Sequence, residues 1–278
     1  MIGNGRSFGA ITVVNAMACG IGCTIGIDLH TKAMFDPRGD LRKVSIAIDP
    51  TEDDLMAKLC VKRTYEHLDL EEPEGWSLTV DSNIPISRGL KSSSSACNAI
   101  IEAVMNSTGK EIDQITLIKL GVGCAKEAGV TVTGSFDDAC GCHFGGIVMT
   151  DNRNNTLLFN DDIDDMDVIV YVPGVKIRKK GLQLDMIRNT AREVEGIVEL
   201  AKTDPLRALT LNGRVFSAAT GTDNSIAERA IENGALAAGL TGSGPAVAIL
   251  VEKGKGRDFA TSMELGDAIM AHTRRRIE

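Results

Sequence analysis

The sequence predicts an α+β protein made of two domains. Strand-like segments rich in Ile, Val and Thr alternate with segments of helical apolar periodicity in the first half. The pattern then restarts after an acidic stretch, 161–167, in which five of seven residues are Asp. At 278 residues the chain is long enough for two modest domains. We therefore expect domains at residues 1–160 and 161–278, joined by the acidic stretch, although the same stretch is also typical of a solvated loop.

The elements of the first half follow from local patterns. Strands are predicted at 10–14, 24–29, 44–48 and 76–80. Thr51 and Asp54 resemble a capping box that opens a helix over 52–68, and Asp113 is a cap for a helix that ends near residue 128. After Gly129 the periodicity breaks down, and a hairpin is predicted from strands 147–150 and 156–159.

The second half gives a similar mixture. A strand is predicted at 168–172, helices at 185–202, 205–218 and 225–233, and a further strand at 246–251. The segment from there to residue 277 is ambiguous between helix and strand.

Composition narrows the classes of function. The chain is 43% hydrophobic and 24% charged, with no run of 18 apolar residues and no signal-peptide core at its start, so we expect a cytoplasmic protein. A formal net charge of −8 disfavours nucleic acid and anionic membranes as partners, since both require a basic surface. The seven cysteines are expected to be free thiols, and the Cys140, Cys142 and His143 group lacks the second ligand cluster of a zinc site.

The most informative segment is the serine loop, residues 85–95, which lies between a predicted strand and a predicted helix. A helix N-terminus presents free backbone N–H groups and partial positive charge, glycine allows close approach of a ligand, and lysine adds a cation. Helix capping alone would explain one serine, but not four in succession. The sequence therefore predicts a phosphate site formed by the following residues: Pro85, Ser87, Arg88, Gly89, Leu90, Lys91, Ser92, Ser93, Ser94 and Ser95.

Two further glycine-rich segments flank the serine loop in the chain, at 20–26 and at 242–244. Their order resembles the superfamily of galactokinase, homoserine kinase, mevalonate kinase and phosphomevalonate kinase (GHMP kinases). The central motif of that superfamily usually reads Gly-Leu-Gly-Ser-Ser, whereas here Lys91 replaces the second glycine. This lysine, the serines after it and the segment 128–139 resemble the archaeal shikimate kinases in particular.

The resemblance implies a fold and an activity. It implies an N-terminal domain like that of ribosomal protein S5 and a C-terminal ferredoxin-like domain, with ATP bound in the cleft between them. It further implies phosphorylation of the 3-hydroxyl of shikimate, with ATP and Mg²⁺ as cofactors. Gly242, Ser243 and Gly244 would then help to shape the nucleotide site.

The resemblance also implies roles for individual residues. Ser93 matches the serine that ligates Mg²⁺, and Glu127 is its expected partner, since it precedes Asp138 by 11 residues. Asp138 is the expected catalytic carboxylate, with Asp137 as a rival one residue away and Lys91 adding positive charge. Without the resemblance, Glu127 is equally well a solvated residue at a helix end, and the aspartates form an acidic turn.

Two features are left open by the sequence. The lysine found near the N-terminus of mevalonate kinases has no match here, which puts a lysine-activated nucleophile in doubt. Arg88 and the run 178–180 are candidates for a cation that pairs with a substrate carboxylate, and the sequence does not choose between them.

Other functions remain as alternatives at this point. They are a homoserine or mevalonate kinase, a diphosphate decarboxylase of the same superfamily, and a nucleotide-binding sensor without catalysis. The sequence gives no oligomeric state.

Overall fold

The computed structural model describes residues 1–47, 53–86, 88–131, 134–173 and 184–277. Its strands, in chain order, are β1 (Gly3–Val14), β2 (Ile21–Asp36), β3 (Arg42–Ile46), β4 (Trp76–Ser82), β5 (Ile147–Asp151), β6 (Thr156–Asp161), β7 (Met166–Tyr171), β8 (Ala237–Leu240), β9 (Val247–Glu252) and β10 (Ile269–His272). Its helices are α1 (Ala16–Cys19), α2 (Leu55–His67), α3 (Ser92–Thr108), α4 (Gln114–Glu127), α5 (Phe136–Phe144), α6 (Leu184–Arg188), α7 (Ala191–Ala201), α8 (Pro205–Thr220), α9 (Ser225–Glu232) and α10 (Gly256–Ser262).

The first sheet is organised around the long strand β2. β1 pairs with it on one side, and β4 and β5 pair with its two halves on the other, all antiparallel. β3 extends this sheet beyond β4 in parallel, and β6 extends it beyond β5. Helices α2 to α5 cover one face, and their shared core includes Phe35, Trp76, Ile100 and Phe136.

The second sheet contains four antiparallel strands in the order β10-β7-β9-β8. Its core is continuous with that of the first sheet, because Ile25 and Met149 belong to the same buried cluster as Val168, Leu209 and Leu250. The two sheets therefore share apolar contacts, and the serine loop lies beside this shared region, since Leu90 is part of the same cluster.

Most predicted elements are present with shifted ends, and Asp113 caps α4 as expected, its carboxylate accepting from Thr116 N at 3.0 Å. Two predictions were wrong. The segment 129–146 contains the helix α5, which the sequence did not indicate because seven of its nine residues are buried and no polar face marks a period. The single helix predicted over 185–202 is two helices, α6 and α7, separated at residues 189–190.

Smaller differences have local causes. Strand β8 was missed because its sequence, Ala-Ala-Gly-Leu, has little β-propensity. The ambiguous C-terminal segment contains both a helix, α10, and a strand, β10. The predicted cap Thr51 lies outside the described residues, as does residue 48 at the end of a predicted strand.

The acidic stretch 161–167 connects the last strand of the first sheet, β6, to the first strand of the second, β7. A domain boundary at residues 160 and 161 remains a proposal that agrees with this position. Among the described helices, none combines the length and the apolar character needed to cross a bilayer.

Candidate active site

The last four residues of the serine loop form the first turn of α3, which begins at Ser92. Ser92, Ser93 and Ser94 are partly exposed there, so their hydroxyl groups and the free N–H groups of the first turn are available to an anion. Ser95 is fully buried, and its Oγ has no hydrogen-bond partner among the described residues. Its side chain therefore lies inside the fold, away from the surface that the other three serines present.

The other residues of the loop have different surroundings. Leu90 is buried in the core, whereas Arg88 donates to the carbonyl of Pro173, the residue two beyond β7, at 2.9 Å. Pro85, the first residue of the loop, is partly exposed, and Ser87 lies outside the described residues. Gly89 has φ +87, and a side chain there would collide with the carbonyl of Thr241. Glycine is required at this position because another loop packs directly against it.

Lys91 occupies the N-cap of α3 in the left-handed conformation, with φ 66 and ψ 28. Glycine adopts this conformation without cost, which explains why the superfamily motif has glycine here. The side chain of Lys91 is only 5% exposed, and its Nζ lies 2.8 Å from Asp138 Oδ1 and donates to Thr12 Oγ1 at 2.6 Å. The backbone strain is therefore offset by a buried ion pair and a hydrogen bond.

Asp137 and Asp138 are adjacent in the first turn of α5, but they face different partners. Asp137 is buried; its Oδ1 accepts from Asn152 Nδ2 at 2.7 Å, and Asn152 Oδ1 accepts from its backbone N–H at 3.0 Å. Burial, and then the charge of Asp138, raises the pKa of Asp137 to about 6, while Lys91 and Asn152 oppose the rise. Gly22 packs against the Asp137 side chain, which leaves no room for a substrate on that side.

Asp138 is the accessible member of the pair, with 16% of its side chain exposed. Its Oδ1 faces the Lys91 ammonium, and its Oδ2 takes no hydrogen bond from the described parts of the chain. One oxygen of this carboxylate therefore faces a cation, and the other is available to a hydroxyl group.

The third glycine segment, 242–244, lies against the serine loop. Thr241 Oγ1 donates to the Gly89 carbonyl at 3.1 Å, and a side chain at Gly242 would come within 2.9 Å of Gly89 Cα. Gly242 N donates at 2.8 Å to Thr12 Oγ1, the same atom that accepts from Lys91. One hydroxyl group therefore joins the two loops.

Two residues that make these contacts, Thr12 and Thr241, were not identified from the sequence. Thr12 and Thr241 are 2% and 0% exposed, and each looks like an ordinary strand residue in the sequence. Ser243 is buried beside them, and the peptide bond between Gly244 and Pro245 is cis.

Glu127 is the last residue of α4, which runs antiparallel to α3 across the turn at Gly109. Gly121 packs on Cys97, so Glu127, six residues later, is level with Lys91 and Ser92 at the start of α3. Its carboxylate is held by Arg63, whose Nη2 lies 2.9 Å from Oε1 and 2.8 Å from Oε2. Glu127 and Ser93 therefore lie near the same end of α3, and Arg63 already occupies the Glu127 carboxylate.

Other residues considered in the sequence lie elsewhere. Asp28, which follows the glycine-rich segment 20–26, lies in the middle of β2, where its Oδ2 is 2.9 Å from His272 Nδ1. All seven cysteines are free thiols, as expected. In the described ranges, no group of three or more His, Cys, Asp and Glu side chains could hold a metal ion. The run 178–180 falls outside those ranges.

The chain matches two family models, the GHMP kinases N terminal domain over residues 56–146 and the GHMP kinases C terminal domain over residues 189–264. It is 38% identical to the shikimate kinase of Methanosarcina acetivorans, covering 94% of this chain and 89% of that one. It is 37% identical to the shikimate kinase of Pyrococcus furiosus, covering 99% and 100% of the two chains.

A solved structure supports the same fold. The Methanococcus jannaschii mevalonate kinase superposes with a TM-score of 0.80 at 18% identity, covering 100% of this chain and 98% of that one. The family models and the archaeal relatives together establish that the chain belongs to the GHMP kinase family.

Proposed function

We propose that this protein is an ATP-dependent kinase that phosphorylates the 3-hydroxyl of shikimate to give shikimate 3-phosphate. The observation that carries the substrate is the identity of 37 to 38% with archaeal shikimate kinases over at least 94% of the chain. The ion pair between Lys91 and Asp138, beside a helix N-terminus lined with serines, supports the chemistry.

The serine loop binds the phosphate groups of ATP. The backbone N–H groups at the start of α3 and the serine hydroxyl groups donate to phosphate oxygens, and Gly242 to Gly244 closes the same site from the second sheet. Bound Mg²⁺ would neutralise phosphate charge, and Ser93 and Glu127 would be its ligands from this chain.

Asp138 orients the substrate hydroxyl and accepts its proton at a carboxylate oxygen as the oxygen attacks. The Lys91 ammonium, 2.8 Å away, orients Asp138 and places positive charge where the phosphoryl group passes. Mevalonate kinases have a lysine near the N-terminus that this chain lacks. In this proposal Lys91, from the serine loop, takes over the role of that lysine. Asp137 is assigned to packing, because it is buried against Gly22 and Asn152.

The substrate assignment is tested by ADP release from Mg-ATP with shikimate, homoserine and mevalonate in parallel. We expect turnover with shikimate alone; activity with another alcohol only would refute the substrate and retain the kinase. A cytoplasmic location belongs to the same proposal, because ATP is available there.

The catalytic assignment is tested with a matched pair of variants. Asp138→Asn should lower kcat by about 10²- to 10⁴-fold and leave ATP affinity unchanged, since it removes only the proton acceptor. Asp137→Asn is the control and should retain most of kcat in protein shown to be folded. The reverse pattern would assign the catalytic role to Asp137.

A further inference from the structure

The C-terminal tail, residues 273–277, leaves β10 in the second sheet and binds across the first. Arg274 N donates to the Gly26 carbonyl at 2.9 Å, and the Arg274 carbonyl accepts from Gly146 N at 2.7 Å. Ile277 N donates to the carbonyl of Phe144, the last residue of α5, at 2.8 Å. Backbone hydrogen bonds therefore attach the tail to both β2 and the end of α5.

Gly145 and Gly146 make room for this tail. Both have positive φ, 69 and 61. A side chain at Gly145 would lie 2.5 Å from the Arg275 carbonyl oxygen. One at Gly146 would collide first with the Asp161 carbonyl of β6 and would lie 3.1 Å from Arg276 Cβ. Gly145 therefore makes room for the tail, and Gly146 makes room for both the tail and β6.

The Arg274 guanidinium binds the C-terminus of α5. Its Nη2 donates to the carbonyl oxygens of His143 at 2.9 Å and Cys142 at 3.0 Å, and lies 3.5 Å from that of Gly141. These carbonyls belong to the last turn, where the helix itself provides few donors. Burial lowers the pKa of Arg274 to about 10, so the group stays protonated at neutral pH and opposes the negative end of the helix dipole.

The other contacts of Arg274 hold the guanidinium in place. Its Cζ lies 4.2 Å from the centroid of the Phe8 ring, on β1. The group is therefore clamped between a strand of the first sheet and the end of α5.

We propose that Arg274 is a positioning residue for phosphoryl transfer, holding α5 so that Asp138 in its first turn stays in register with Lys91. The helix has nine residues, about 13 Å, and behaves as one rigid body, so movement at its C-terminus displaces the carboxylate at its start. This inference rests on the proposed function. It adds to the site a residue 136 positions from Asp138 in the chain, contributed by the tail that follows the second sheet.

The test compares Arg274→Ala with Arg275→Ala. Arg275 is the neighbouring tail residue, and its guanidinium pairs with Asp162 and Asp165 instead of with α5. We expect Arg274→Ala to lower kcat for shikimate by about 10- to 100-fold with KM values little changed, because a small displacement of a catalytic group has effects of this size. Arg275→Ala should keep the kcat of the parent protein.

Chemical rescue separates positioning from general stability. Millimolar guanidinium ion should restore part of kcat in Arg274→Ala, whereas urea at the same concentration should not. A normal kcat in folded Arg274→Ala would overturn the proposal, even if the melting temperature fell. If Arg274→Ala does not fold, Arg274→Lys replaces it in the test, because lysine keeps the charge but lacks the planar guanidinium group. Arg274→Lys should show a smaller loss of kcat than that expected for Arg274→Ala. An unchanged kcat in Arg274→Lys would also overturn the proposal.

Amide hydrogen exchange gives a readout that does not depend on the substrate. Exchange over 139–144 should accelerate in Arg274→Ala and not in Arg275→Ala. A parent protein inactive towards shikimate would refute the proposed function, and the role of the tail would then be decided by exchange, with unchanged protection of α5 counting against it.

Discussion

Replacing Lys91 tests both the conformation of the serine loop and its chemistry. In Lys91→Ala the Asp138 carboxylate, 16% exposed, loses its cation, and breaking such a pair costs about 3 kcal/mol. Lys91→Gly loses the same pair but relieves the left-handed backbone, so it should be about 1 kcal/mol more stable than Lys91→Ala. Urea unfolding followed by the fluorescence of Trp76, the single tryptophan and 1% exposed, measures both free energies of unfolding.

Turnover provides the second half of this test. Both variants should lose about two orders of magnitude in kcat, because each removes the positive charge beside the reacting oxygen. If Lys91→Ala proved at least as stable as Lys91→Gly, residue 91 would not adopt the left-handed conformation. If Lys91→Gly retained the kcat of the parent protein, the ion pair would have no part in the reaction.

Three other perturbations probe separate parts of the structure. Burial, and then the charge of Arg274, lowers the pKa of His143 to about 4. Between pH 6.5 and 4 the unfolded chain therefore binds a proton at His143 that the folded protein does not bind. The contribution of neutral His143 to the free energy of unfolding is present above pH 6.5 and is lost as the pH falls through 4. Over that range the parent protein should lose about 2 kcal/mol more than His143→Phe by urea unfolding, and equal losses would contradict the assignment. Thr12→Val removes the hydroxyl group that accepts from both Lys91 Nζ and Gly242 N, and it should lower kcat about tenfold. Thr12→Ser keeps a hydroxyl group and should retain most of kcat, whereas Thr12→Ile should be as impaired as Thr12→Val. Gly145→Ala forces a side chain against the Arg275 carbonyl and should cost about 2 kcal/mol of stability. At Gly123 a side chain would meet no other described segment within 4 Å, so Gly123→Ala should be neutral or stabilising; similar melting temperatures for the two variants would refute the packing.

Periodic and capping patterns predicted much of the fold. Asp113 was identified as a cap because its carboxylate accepts from the backbone N–H of Thr116, only three residues later. Contacts between residues so close in the chain can be predicted from the local sequence. Helix α5 was missed for the opposite reason: it is surrounded by protein, so its sequence lacks a polar face. The break between α6 and α7 was also missed, since residues 189–190 carry neither Gly nor Pro.

The candidate site shows the same division. The serine loop was recognised from consecutive residues, and Asp138 was proposed from the family resemblance through its spacing to Glu127. The different partners of the two aspartates could not be predicted. Lys91 contacts Asp138 and Asn152 contacts Asp137 only because α3 and β5 pack against α5 in the folded protein. Thr12 joins the serine loop to Gly242, although Thr12 and Gly242 are 230 positions apart in the chain.

The tail that binds the end of α5 has a consequence for synthesis of the protein. The arginine that caps α5 lies 130 positions after the last residue of that helix and follows every strand of the second sheet. During synthesis α5 therefore receives this cap only after the whole second sheet has been made. Fragments that stop before residue 274 contain α5 but lack the side chain that binds its last carbonyl groups.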